Sequence, residues 1–127
     1  MIAQILIADD NTDITGLLND YLSSKGNRVI VVNDGYQLAQ KAGEHLPHLI
    51  ITDIQMPGAY GSSAYQVLQK DEATKNIPVI FISAHSFAKL EKILPKDPKT
   101  RFVQKPVNLE ALYEIINELL PLGGYCP

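Results

Sequence analysis

Five short apolar segments punctuate the chain at fairly even spacing: Ile5–Ala8, Val29–Val32, Leu49–Ile51, Val79–Ile82 and Phe102-Val103. Each is near-continuous rather than alternating, and most are rich in β-branched residues. A strand with one wet face alternates apolar and polar positions, whereas a parallel strand covered on both faces does not. These five therefore read as buried parallel strands. Between them the period changes to that of amphipathic helices. Ile14, Leu17, Leu18, Tyr21 and Leu22 fall at i, i+3, i+4, i+7 and i+8, and Gly26 supplies a stop. Leu38, Ala39, Ala42 and Leu46 predict a second helix closed by Pro47, and Ala64, Val67 and Leu68 a third that ends by about Asp71. Phe87, Leu90, Ile93 and Leu94 predict a fourth, cut short by Pro95 and Pro98. The last pattern is the clearest, with Asn108 as N-cap before Leu109, Leu112, Ile115, Ile116, Leu119 and Leu120. The order is βα five times over. Right-handed crossovers turn it into a doubly wound α/β sandwich, a five-stranded parallel sheet with helices on both faces.

Composition narrows the class further. The chain has 127 residues, enough for one domain with a sizeable core, and its 46% hydrophobic and 20% charged residues are ordinary globular values. One domain is expected over residues 1–120, with a short tail over 121–127 that carries Gly123-Gly124. A net charge of −3 argues against nucleic acid as a direct partner. Cys126 is the single cysteine, so no intramolecular disulfide can form. The longest apolar runs, Val29–Val32 and Val79–Ile82, are far too short to span a bilayer. Met1-Ile2-Ala3-Gln4 lacks a basic leader region. A cytoplasmic protein with no membrane contact is the expectation.

In an open α/β sheet the site lies at the carboxyl ends of the strands. The residues there are Asp9-Asp10-Asn11 after the first strand, Asp53 then Ile54-Gln55-Met56-Pro57-Gly58 after the third, Ser83-Ala84-His85 after the fourth and Lys105-Pro106 after the fifth. Three carboxylates, a hydroxyl and an ammonium thus share one rim. Like charges so close repel unless their pKa values rise or a cation neutralises them, and a hard Mg²⁺ ion suits oxygen ligands. A metal beside an aspartate and a lysine is equipment for phosphoryl transfer to a carboxylate. Asp9-Asp10-Asn11 would also serve to cap the first helix, where acids suit the dipole. His45, His48 and His85 lack metal-ligand spacing, and His45 and His48 are expected at the surface.

Asp9-Asp10, Asp53 with Met56-Pro57-Gly58, Ser83-Ala84 and Lys105-Pro106, in this order at successive strand ends, resemble the response-regulator receiver domain of two-component signalling. The resemblance covers residues 2 to about 120 and implies a flavodoxin-like (βα)5 fold with strand order 2-1-3-4-5. It implies that Asp53 accepts a phosphoryl group from a histidine kinase or phosphotransfer protein. Asp10 would bind Mg²⁺ directly and Asp9 through water, with Asp53 and the Gln55 carbonyl completing the set. Lys105 would pair with the phosphoryl group, and Ser83 would hydrogen-bond it after moving inward. Phe102 matches an aromatic position that follows this movement, and the Lys105–Pro106 bond is typically cis in such domains. The protein would then be a switch that catalyses only its own phosphorylation and dephosphorylation, and signals to a downstream protein through a changed surface.

The chain departs from the pattern in places. His48 and Thr52 stand where receivers often carry an acid and an aliphatic residue, and Leu94-Pro95-Lys96-Asp97-Pro98-Lys99 replaces the usual Gly-Ala before the fifth strand. The chemistry is expected intact and the read-out altered. Lys89, Lys92, Lys96, Lys99 and Arg101 gather basic charge beside the acidic stripe of Glu110, Glu114 and Glu118, so a phosphorylation-dependent homodimer is one expectation and two solvated faces the other. A stand-alone receiver is expected, with the N-terminal receiver of a longer regulator or hybrid kinase as the alternative. A haloacid-dehalogenase-like phosphatase would want an acid at Gln55, and a flavodoxin-like carrier would want a hydroxyl- and glycine-rich loop where Asp9-Asp10 stand.

Overall fold

A computed structural model describes residues 3–54, 61–85 and 97–120. In chain order the elements are β1 (Gln4–Ala8), α1 (Thr12–Ser24), β2 (Arg28–Val32), α2 (Gly35–His45), β3 (Leu49–Asp53), α3 (Gly61–Gln69), β4 (Val79–Ser83), β5 (Thr100–Gln104) and α4 (Leu109–Leu119). The helix expected over Phe87–Leu94 lies outside the described residues, as does the tail over 121–127. The five strands form one sheet in the order β2-β1-β3-β4-β5, every neighbouring pair parallel.

Period-2 alternation sorts the strand side chains between two cores. Leu6, Ala8, Ile50, Val79 and Phe81 join Leu38 and Ala42 of α2 and Ala64, Tyr65 and Leu68 of α3. Ile5, Ile7, Leu49, Ile51, Ile80 and Ile82 join Leu18 and Leu22 of α1 and Leu112 and Ile116 of α4. Both faces being covered is the reason the central strands read as unbroken apolar runs. β3 and β4 are buried at every position, while the edge strands β2 and β5 are not. Truncating a fully buried side chain such as Phe81 to alanine would cost about 3–5 kcal/mol.

The helix ends follow from local chemistry. Asn11 caps α1 by accepting from the Asp13 and Ile14 amides, Asp34 caps α2 through the Gln37 amide, and Asn108 caps α4 through the Ala111 amide. Gly26, at φ +91°, turns the chain out of α1 in a conformation that a side chain would strain. Pro47 stops α2, and Leu46 before it takes φ 47°, unusual for a residue other than glycine. These ends bring the residues after β1, β3, β4 and β5 to one rim.

Candidate functional site

Asp9 follows β1 directly and is 1% exposed. Its Oδ1 accepts from the Asn11 amide at 2.9 Å. The expected capping and the expected rim therefore coexist: Asn11 caps the helix and its amide orients Asp9. Asp53 closes β3, buried, and the Thr52 hydroxyl donates to its carbonyl at 2.9 Å. Lys105 follows β5 by one residue, and its amide donates to the Ser83 carbonyl at 2.7 Å. Its Nζ donates to Asp53 Oδ2 at 2.9 Å and stands 3.0 Å from Asp9 Oδ2.

The Asp9 contact is Coulombic without a well-aligned hydrogen bond, so the buried Asp9 Oδ2 lacks a hydrogen-bond donor. Burial pushes the Asp9 carboxyl above its ordinary pKa, and neighbouring Asp53 adds to the rise, against the opposing Asn11 amide and Lys105. For Lys105, burial alone would lower the pKa. Its hydrogen bond to Asp53 and the charges of Asp53 and Asp9 outweigh that and raise it.

Asp10 completes the group from the solvent side, and ligand oxygens of Asp9, Asp10 and Asp53 all lie within 4.8 Å of one another. Among the described residues, three carboxylates gather beside one ammonium, an excess of negative charge. The donor set is all oxygen, one buried oxygen has no hydrogen-bond donor, and one carboxylate faces water. A small hard divalent cation that retains several waters fits such a set.

Ser83 ends β4, buried, one residue beyond Ile82, the register partner of Asp53. Its Oγ accepts from the His85 amide at 3.0 Å. Phe102 lies deeper, opposite Phe81 in register, half-buried against the core under α2 and α3. Gln55 and Met56-Pro57-Gly58 lie outside the described residues. The Lys105–Pro106 peptide bond is cis. Beside the acids, Ile14, Leu17, Leu18, Lys105, Pro106 and Val107 line an apolar hollow of about 430 Å³. Leu17 on its lip is one of the few large apolar side chains left exposed.

One expectation needs correction. His48 is not a free surface residue: it is half-buried, and its Nδ1 accepts from the Gln4 amide at 2.8 Å while its own amide donates to the Gln4 carbonyl. A histidine at the start of a buried strand can satisfy a strand amide, which composition and spacing do not reveal. Of the basic edge, the described residues Lys99 and Arg101 have partners within the chain, and Arg101 lies beside the acidic stripe. Lys99 Nζ holds Asp97 at 2.7 Å. Arg101 Nη1 donates to the carbonyls of Pro98 and Thr100, and its Nε lies 3.9 Å from Glu118. Lys89, Lys92 and Lys96 lie outside the described residues.

A contact not anticipated from sequence joins α3 to the turn before β5. The Tyr65 ring meets Phe81 edge-on at 5.6 Å, and Tyr65 lies close enough to Asp97 for each to shift the other's pKa. Burial and the Asp97 charge raise the Tyr65 pKa. Hydrogen bonds from the Lys99 side chain and amide, chiefly, lower that of Asp97. Only the departure at Asp97-Pro98-Lys99 hinted at this contact.

Among the described residues no helix is long and apolar enough to cross a membrane. Comparison with known proteins places a match to the family described as "Response regulator receiver domain" on residues 5–117. The chain is 28% identical over 120 residues to the polar-differentiation response regulator DivK of Brucella ovis, covering 94% of this chain and 98% of that one. Among solved structures it resembles the chemotaxis response regulator CheY4 of Vibrio cholerae, with TM-score 0.83, 22% identity and coverage of 94% and 100%. It likewise resembles the receiver domain of a sensor histidine kinase from Pseudomonas aeruginosa, described with a magnesium ion coordinated in its active site cleft, with TM-score 0.83, 23% identity and coverage of 94% and 98%.

Proposed function

This chain belongs to the response regulator receiver domain family, and from that premise we propose that it is a phosphorylatable signalling switch whose acceptor is Asp53. The observation that carries the reading is the position of Lys105 Nζ, between Asp53 Oδ2 at 2.9 Å and Asp9 Oδ2 at 3.0 Å. A carboxylate with a cation at its attacking oxygen and a charge-rich, water-facing rim beside it is suited to receive a phosphoryl group.

The donor is a phosphohistidine of a histidine kinase or phosphotransfer protein. An Asp53 oxygen forms the new bond to phosphorus as the phosphorus–nitrogen bond breaks, and the electron pair returns to the donor imidazole. Asp9, Asp10 and Asp53 would hold Mg²⁺, with the Gln55 carbonyl as the further ligand that the family resemblance implies. Held there, the ion would supply positive charge to offset that on the phosphoryl oxygens. Lys105 exchanges its carboxylate contacts for one phosphoryl oxygen, and the Ser83 hydroxyl donates to another. Hydrolysis of the acyl phosphate by water restores Asp53. The apolar hollow at Ile14, Leu17 and Val107 offers the donor a dry surface beside the acceptor.

The test is intact mass after incubation with acetyl phosphate and Mg²⁺. The wild-type chain gains one phosphoryl group and Asp53→Asn gains none. Equal labelling of the two proteins overturns the assignment.

A further inference from the structure

Thr52 is the residue before Asp53, and it stands in register between Ala8 of β1 and Phe81 of β4. Both neighbours belong to the core under α2 and α3, and Thr52 is buried with them. A hydroxyl in such surroundings is costly unless it is hydrogen-bonded. It donates to the Asp53 carbonyl at 2.9 Å. That carbonyl belongs to the peptide unit that joins Asp53 to Ile54, and the amide of the same unit donates to the Ile82 carbonyl at 3.1 Å. A peptide unit is planar, so holding both of its polar atoms fixes its orientation. Ile54, buried in the same core, adds a hold on its far side. The Asp53 Cα is thus fixed between this plane and the strand before it, and the direction of its side chain follows. Asp53 Oδ2 accordingly meets Lys105 Nζ at 2.9 Å.

We propose that Thr52 is a positioning residue for phosphoryl transfer, its hydroxyl holding the Asp53–Ile54 peptide so that the Asp53 carboxylate stays aimed at the incoming phosphorus. It touches no reacting atom and acts through the backbone of the residue that does. An attacking oxygen tolerates little error, and a displacement of about 1 Å can cost about a hundred-fold in rate. A valine at this position would fill the same space and leave the carbonyl without this donor. The positioning role rests on Asp53 being the acceptor, whereas the held peptide does not.

The test uses the full chain with acetyl phosphate and saturating Mg²⁺. An Asp53 oxygen bonds to phosphorus as the phosphorus–oxygen bond to acetate breaks, and acetate leaves with the electron pair. Thr52→Val exchanges the hydroxyl for a methyl group, whereas Thr52→Ser keeps the hydroxyl and loses a methyl. The rate of mass gain should fall about ten-fold in Thr52→Val and stay within about two-fold of wild type in Thr52→Ser. Amide exchange at Ile54 should quicken about five-fold in Thr52→Val and not in Thr52→Ser. A merely structural role predicts the reverse order, since the serine leaves a cavity in the core and the valine does not. Should Thr52→Val fail to fold, Thr52→Ser against Thr52→Ala isolates the same hydroxyl at smaller volume. A wild-type rate in Thr52→Val, or equal slowing in Thr52→Val and Thr52→Ser, overturns the positioning role. Slower labelling with unchanged Ile54 exchange overturns the held peptide as its cause. Asp53→Asn labelled like wild type overturns the acceptor reading instead, and the Ile54 exchange still decides whether Thr52 holds the peptide.

Discussion

The two ends of β5 each carry a lysine–aspartate contact, and the two are built to opposite purposes. Beyond the carboxyl end, Lys105 faces two acids at 2.9 and 3.0 Å, and the Asp9 pKa is driven up. Before the amino end, Lys99 faces Asp97 at 2.7 Å, and the Asp97 pKa is driven down. Distance does not separate them. The difference is burial and charge balance. Asp9 is buried beside a second carboxylate and keeps an oxygen without a donor, whereas Asp97 is half-buried and receives a side-chain ammonium and a backbone amide. The first arrangement is electrostatically unfinished and ready for a cation or a phosphoryl group. The second is complete and serves as an anchor.

The sharpest way to break the contrast is to remove each lysine. Lys105→Met leaves two buried carboxylates facing each other, and metal-free stability should fall by about 3 kcal/mol. Lys99→Met removes one partner of a more exposed pair, and about 1 kcal/mol is expected. Urea denaturation at neutral pH reads both. A larger loss for Lys99→Met would reverse the comparison.

Asp9→Asn should act in the unusual direction. It removes repulsion at Asp53 and the burial of a charge, so the metal-free fold should gain about 1 kcal/mol. Mg²⁺ affinity should drop at least about ten-fold, as when an outer-shell partner of a metal site is lost. Thermal denaturation with and without Mg²⁺ shows both effects. A destabilised, metal-free Asp9→Asn would mean that the rim is not strained by its charge.

The smallest effect is in pH. The lowered Asp97 pKa means that the folded chain binds this proton less readily than the unfolded chain. Its stabilisation is present above the ordinary carboxylate pKa and is lost as pH falls through the folded value. Asp9, with its raised pKa, runs the other way: its contribution is present below the ordinary value and lost as pH rises through the folded one. Between about pH 6 and about pH 3, the stability advantage of wild type over Asp97→Asn should shrink toward zero. The advantage of Asp9→Asn over wild type should shrink as well, because Asp9 becomes neutral. Denaturation midpoints across that range decide it, and parallel curves for wild type and Asp97→Asn would remove Asp97 from the account.

The acidic rim was legible because strand ends are easy to place when the strands are unbroken apolar runs. Asp9, Asp10, Asp53 and Lys105 stand at three strand ends, those of β1, β3 and β5, and do meet. β5 was legible only as Phe102-Val103, whereas the strand runs Thr100–Gln104. An edge strand tolerates polar flanks, and Arg101 turns back on the carbonyls of Pro98 and Thr100. The closeness of Tyr65 to Asp97 was not legible, since a tyrosine on the apolar face of a helix reads as core and Asp97 comes from another part of the chain. His48 escaped for the same reason: its partner, the Gln4 amide, lies 44 positions away.

That last separation also governs how the chain folds. All ladders here are parallel, so no two strands can zip from a shared tight turn. β1 must meet β2 across a helix and β3 across two helices and a strand, and the entropy of closing those loops is spent before any ladder contact repays it. Such a contact order slows folding relative to a helical bundle of similar size. While the loops are open, the unbroken apolar runs of β3 and β4, later the most protected part of the molecule, are exposed on both faces and are the segments most able to associate between chains.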